Sequence, residues 1–129
     1  MNRTKDIRVL VADDSLVARE AICSYLETLN GIAVAGTARN GFDLLEKAEA
    51  LRPDLVLTDL CMPRMSGIEC TLRLHDILPT VRIIVFTELD GPLTREACMD
   101  AGADSYIHKS QLPEGLVLEI QRLFPKGLA

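Results

Sequence analysis

Five polar residues stand where short apolar runs stop. Asp13 and Asp14 follow the run that ends at Ala12, Asp59 follows Leu55 to Thr58, Thr87 follows Val81 to Phe86, and Lys109 follows Ser105 to His108. Three carboxylates gathered at one rim would repel and raise one another's pKa unless a cation lay among them, and oxygen ligands with spare water positions suit Mg2+. A lysine beside them would supply a second positive charge. With both in place, a phosphoryl group can be accepted on a carboxylate as an aspartyl phosphate, in a transfer that rests on positioning and charge compensation. A plainer reading covers part of the set. Asp or Ser directly after a strand commonly caps the next helix, which accounts for Asp13, Asp14 or Ser15 taken singly, and one lysine at a strand end can serve solubility alone. Asp59 resists that reading. Leu60, Cys61, Met62 and Pro63 follow it and the next capping signal is Ser66, so a carboxylate inside this apolar run needs a cationic partner.

For these groups to meet, the elements carrying them must share one sheet. The β-branched runs Ile7 to Ala12, Ile32 to Ala38, Leu55 to Thr58, Val81 to Phe86 and Ser105 to His108 alternate with segments of helical spacing or punctuation. The helical stripes read as Ala18, Ile22, Tyr25 or Leu26 and Leu29, then Phe42, Leu45 and Ala48, then Ile68, Leu72 and Leu78. A thin stripe of Leu93, Ala97 and Ala101 precedes a fuller one of Leu116, Ile120, Leu123 and Phe124. Asn30-Gly31, Pro53 and Gly102 close helices, Ser66 with Glu69 has capping-box spacing, and Pro113 suits the first turn of the last helix. Val9 to Val11 and Ile83 to Val85 are apolar at consecutive positions, so both faces of those strands are covered. The spacing therefore predicts an α/β fold, a five-stranded parallel sheet with helices on both faces. In such sheets ligands bind beyond the carboxyl ends of the strands, where the five polar residues fall.

Composition narrows the class. At about 150 residues per domain, 129 residues predict a single domain over 1–129 with a core from about 7 to 124 and a short tail from 125. The formal net charge of −5 and the absence of a basic run make duplex DNA and anionic membranes poor primary partners. Cys23, Cys61, Cys70 and Cys98 form no C-x-x-C pair and read as reduced thiols. No apolar run reaches the ~18 residues of a membrane span, and Asp13 cuts the first one short of a signal segment, so a cytoplasmic protein is expected.

The stretches Leu10-Val11-Ala12-Asp13-Asp14-Ser15, Pro53 to Gly67 with its D-x-x-M-P-x-x-x-G core, Phe86-Thr87, and Gly102 to Lys109 together resemble the receiver domain of two-component response regulators, over about Ile7 to Phe124. The resemblance implies a flavodoxin-like sheet of order 2-1-3-4-5. It implies that Asp59 accepts the phosphoryl group, that Asp14 with Asp13 anchors Mg2+ alongside Asp59, and that the Cys61 backbone carbonyl completes the protein's share of the coordination. It further implies that Thr87 and Lys109 contact the phosphoryl group and that Thr87 and Tyr106 form a switch. The implied partners are a sensor histidine kinase or phosphotransfer protein and an output partner or attached domain, reached through the fourth helix, fifth strand and fifth helix. Catalysis is then limited to the domain's own phosphotransfer and autodephosphorylation. From spacing alone, Tyr106 reads as a half-buried strand aromatic with a wet hydroxyl, and His75 and His108 as surface or edge residues.

Three positions depart from the pattern. Glu88 stands where a small residue is common, Leu89 is apolar beside the site, and Ser110 replaces a common proline. A non-proline cis bond costs ~3 kcal/mol, so the Lys109–Ser110 bond is expected to be trans. The Lys109-Ser110 pair also resembles receivers that precede LuxR-type DNA-binding domains. Two other functions compete with the switch. A phosphohydrolase of the haloacid dehalogenase type wants D-x-D at the first strand and a cap domain, whereas Asp13 and Asp14 are adjacent. A flavodoxin-like cofactor protein wants a glycine- or hydroxyl-rich loop after that strand, whereas Asp13-Asp14-Ser15 would repel a bare phosphate.

Overall fold

The computed structural model describes residues 5–89 and 91–126. Strands β1 (Ile7–Ala12), β2 (Ile32–Ala38), β3 (Leu55–Asp59), β4 (Arg82–Thr87) and β5 (Ser105–His108) form one parallel sheet in the order β2-β1-β3-β4-β5. Their register places Ala12 opposite Thr58, Asp59 opposite Phe86, and Thr87 opposite His108, so the strands end at a common rim. Asp59 is thus the last residue of β3, one position beyond the expected end. Helices α1 (Leu16–Glu27), α2 (Gly41–Leu51), α3 (Gly67–Ile77), α4 (Pro92–Asp100) and α5 (Glu114–Leu123) fill the connections. None of the described helices is long and apolar enough to cross a membrane.

Alternation along each strand splits the core in two. Val9, Val11, Leu55, Leu57, Ile84 and Phe86 pack with Leu26 of α1 and with Leu116 and Ile120 of α5 on one face. Leu10, Ala12, Val56, Ile83 and Val85 pack with Leu44 and Ala48 of α2, Cys70 and Leu74 of α3, and Cys98 of α4 on the other. Each fully buried aliphatic side chain contributes about 1.5–3 kcal/mol before ordering costs.

The helical stripes differ from expectation in phase. On α2 the buried face is Gly41, Leu44 and Ala48, leaving Phe42 at the surface with the Arg64 guanidinium 5.0 Å from its ring centre. On α3 it is Gly67, Cys70, Thr71 and Leu74, which turns Leu72 outward. On α4, Leu93 is 78% exposed and the inward residue within the helix is Cys98. In all three helices small or sulfur-bearing residues share the inner face, beside Leu44 on α2 and Leu74 on α3, and Phe42, Leu72 and Leu93 lie off it.

Punctuation behaves as expected at most ends. Ser66 Oγ accepts the Glu69 N–H at 3.2 Å, Gly102 closes α4 at φ +110°, and Gly31 takes φ +86° in the turn after α1. Arg52 at φ +47° ends α2, just ahead of Pro53. Pro113 sits at the residue before α5 rather than within its first turn. The cis peptide bond among the described residues is Leu112–Pro113, and Lys109–Ser110 is trans as expected. The four cysteines are unpaired thiols, with burial pushing Cys70 up to about 11. Of the expected tail, residues 127–129 lie outside the described residues.

Candidate functional site

The rim residues meet. Asp13, directly after β1, is fully buried, Asp59 is 5% exposed, and Asp14 faces solvent. One carboxylate oxygen from each lies within 4.8 Å of the others. Lys109 reaches in from the end of β5, its Nζ 3.3 Å from Asp13 Oδ2 and 3.5 Å from Asp59 Oδ2, with the Phe86 ring centre 5.5 Å away. The capping reading divides among the first three residues. Ser15 Oγ caps α1 by accepting the Ala18 N–H, Asp13 Oδ1 accepts the Ser15 N–H at 2.8 Å, and Asp14 caps nothing in the described contacts.

Asp59 is held from its own loop. Its Oδ1 accepts the Cys61 N–H at 3.2 Å, and the Gly67 N–H donates to the Leu60 carbonyl at 2.8 Å, folding the β3–α3 loop back onto the strand end. The glycine at the end of the D-x-x-M-P-x-x-x-G pattern is required by space. A Cβ on Gly67 would stand 2.8 Å from the Asp59 carbonyl oxygen and 2.9 Å from Leu60 Cα, closer than real contacts allow. The Cys61 thiol is exposed and takes no part in these contacts.

Three carboxylates face one ammonium, so the cluster holds excess negative charge. Burial raises the Asp59 pKa, the Cys61 N–H opposes that, Asp13 adds to it, and Lys109 opposes it again. For Lys109, burial acts downward, but Asp59 and Asp13 outweigh it and raise the pKa. Because Asp59 titrates higher folded than unfolded, its ionisation costs stability at pH above its folded pKa, and that cost vanishes as pH falls below the unfolded value of about 4. Asp59→Asn is therefore expected to melt higher than wild type in metal-free buffer at neutral pH, by about 4 °C per kcal/mol relieved. The gap should close at pH 3.5. Calorimetry at the two pH values checks this, and a metal-free variant that melts lower at neutral pH would contradict it.

Thr87 ends β4 beside Asp59's strand, buried, with Oγ1 accepting the Leu89 N–H at 3.0 Å. Tyr106 is half-buried against the α2–α4 side of the core, as spacing suggests, and its hydroxyl donates to the exposed Leu89 carbonyl at 2.8 Å. The Glu88 side chain is exposed. Three contacts were not legible in the sequence. Arg19 of α1 donates to the Asp13 carbonyl at 2.6 Å, His75 Nε2 lies 2.7 Å from the Gly102 carbonyl, and His108 bonds through both ring nitrogens.

A sheet of this order, carrying this cluster at its carboxyl rim, matches one family over most of its length: residues 9–121 fit the model of the response regulator receiver domain. The chain belongs to the response regulator receiver domains. It is 36% identical over 118 residues to the response regulator protein VraR of Staphylococcus saprophyticus, a match that takes in 92% of this chain and 56% of that protein. The chain thus spans about half the length of the curated relatives it matches. Among solved structures it is similar to a LuxR-family two-component response regulator from Aurantimonas sp. SI85-9A1, with TM-score 0.89 and 29% identity over 97% of this chain and 89% of that one. It is also similar to the receiver domain of the NarL response regulator of Mycobacterium tuberculosis, with TM-score 0.87 and 26% identity over 95% and 98% of the two chains. The CheX–CheY complex of Borrelia burgdorferi, at 23% identity and TM-score 0.87, shares the fold. Receiver domains bind Mg2+ in an acidic pocket, and Asp13, Asp14 and Asp59 are clustered here.

Proposed function

We propose that this receiver, comprising a single domain over 1–129, accepts one phosphoryl group on Asp59 from a histidine kinase or phosphotransfer protein and passes the change to an output partner or attached domain. The observation that carries the reading is Lys109 Nζ lying between the Asp13 and Asp59 carboxylates in a cluster that keeps excess negative charge. An all-oxygen donor set of this charge fits a hard divalent cation, with Asp14, Asp59, Asp13 and the Cys61 carbonyl as its protein ligands. When bound, Mg2+ neutralises phosphoryl oxygens and permits an anionic donor to approach. An Asp59 carboxylate oxygen bonds to phosphorus as the bond from phosphorus to the donor breaks, and the donor leaves with that electron pair. Lys109 balances the charge gathered on the phosphoryl oxygens, and the Thr87 hydroxyl, whose oxygen accepts the Leu89 N–H, donates a hydrogen bond to one of them.

A groove between α1 and α5 opens beside Asp13 and Lys109, lined by Ala18, Ile22, Tyr25 and Leu116. It suits an apolar helix of the phosphodonor. Incubation with a small acyl phosphate and Mg2+ tests the function. A lasting adduct of one phosphoryl group supports it, whereas continuous turnover of phosphate esters would favour a phosphohydrolase instead.

The output surface follows from one residue. Leu89 donates its N–H to Thr87 and accepts the Tyr106 hydroxyl on its carbonyl, so a displacement of Thr87 is felt at Tyr106. The adjoining α4 has Cys98 as its one buried residue, while α5 buries Leu116 and Ile120. A lightly anchored helix shifts more readily. Hydrogen exchange with and without a phosphoryl mimic should show changes in α4, β5 and α5, and changes confined to α1 and α2 would refute this route.

A further inference from the structure

The turn that delivers Lys109 to the acid cluster has no proline to stiffen it, and side chains set its shape instead. Residues Lys109–Gln111 form a single 3-10 turn with His108 at its amino end. His108 Nδ1 lies 3.1 Å from the Ser110 backbone nitrogen and 2.7 Å from its Oγ, and Gln111 Oε1 accepts the His108 N–H at 3.0 Å. The other ring nitrogen, Nε2, lies 3.0 Å from the Glu88 carbonyl oxygen. One tautomer serves both sides. Nδ1 accepts the Ser110 N–H, which leaves the ring proton on Nε2 to donate to Glu88. The imidazole is thus fixed between the loop directly after Thr87 and the turn directly after Lys109.

A lysine ammonium rides on a flexible four-carbon stem, so where its backbone starts decides where the charge spends its time. We infer that His108 is a positioning residue for phosphoryl acceptance: by capping the Lys109–Gln111 turn it sets the stand-off of Lys109 Nζ from Asp59. The inference rests on the role proposed above for Lys109. His108 itself touches neither carboxylate in the described contacts. The cap, not the bulk of the ring, carries the effect, because Nδ1 is the acceptor that ties the turn's second N–H to the end of β5.

Three substitutions separate the arms. His108→Leu loses both contacts, His108→Asn keeps an acceptor where Nδ1 stands, and His108→Gln keeps a donor near the Glu88 carbonyl but not the cap. With saturating Mg2+ and a small acyl phosphate, the initial labelling rate should fall about tenfold in His108→Leu and in His108→Gln. In His108→Asn it should stay within about twofold of wild type, and Mg2+ affinity should change by less than about twofold in all three. A wild-type rate in His108→Leu would overturn the inference, as would rescue by Gln but not Asn, which would move the effect to the β4–α4 loop. Absence of label in the wild-type protein would instead count against Asp59 as acceptor.

Discussion

Asp59→Asn is expected to abolish phosphoryl incorporation from a small acyl phosphate, with the wild-type protein gaining one group and the variant none. The amide has no anionic oxygen to attack phosphorus, and the two neighbouring carboxylates are less well placed to replace it. Asp13 is fully buried, with one oxygen on Ser15 and the other facing Lys109, while Asp14 stands in solvent outside the reach of the described ammonium contacts. Asp59 shares with Asp13 a backbone N–H on one oxygen and Lys109 near the other, but its side chain is the more open of the two, 7% exposed against 1%. The loss should be one of chemistry and not of folding, since the variant relieves the cost of a buried charge. Intact mass after a timed incubation decides the matter. Undiminished labelling in Asp59→Asn would transfer the role elsewhere.

The second large effect concerns the cation. Asp14→Ala should weaken Mg2+ binding by about a hundredfold or more, the scale on which metal sites respond to loss of supporting groups. Asp14 is the member of the cluster that can be removed cleanly, because it is exposed and caps nothing in the described contacts. Removing Asp13 would in addition leave Lys109 short of a partner and open the α1 turn at Ser15. Chelation of the wild-type protein should stop labelling altogether, since excess negative charge at the cluster then meets an anionic donor with only Lys109 to offset it. Titration calorimetry and labelling in chelator provide the measurements. Equal labelling with and without Mg2+ would eliminate the metal from the proposal.

The chemistry of the rim was more legible than the packing beneath it. Asp13, Asp14, Asp59 and Lys109 are polar residues ending apolar runs, and such breaks survive any uncertainty about which helix face turns inward. Resemblance to a known family was still needed for the strand order, because five interchangeable apolar runs carry no record of their neighbours. The helix stripes failed in phase: Phe42, Leu72 and Leu93 turn outward, whereas Gly41 with Leu44, Cys70 with Leu74, and Cys98 are buried. Gly41, Cys70 and Cys98 are residues that a hydrophobicity pattern weighs least, so it missed the face they mark. The role of the His108 ring does not show in the sequence because two of the groups it meets are the Glu88 carbonyl and the Ser110 backbone N–H, which every sequence position offers alike.

The connection through Leu89 belongs to that silent category. Its two terminals are the N–H and the C=O of one residue, so the path from Thr87 to Tyr106 is written in the main chain and its side chain has no part in it. The apolar residue found there is for that reason no obstacle. Selection at position 89 is freed to follow whatever the outer surface meets, and the one common replacement that would cut the path is proline, which brings no N–H. A receiver can in this way change the face it shows to a partner while keeping its internal wiring, and two receivers with dissimilar residues at this point can still share the same relay.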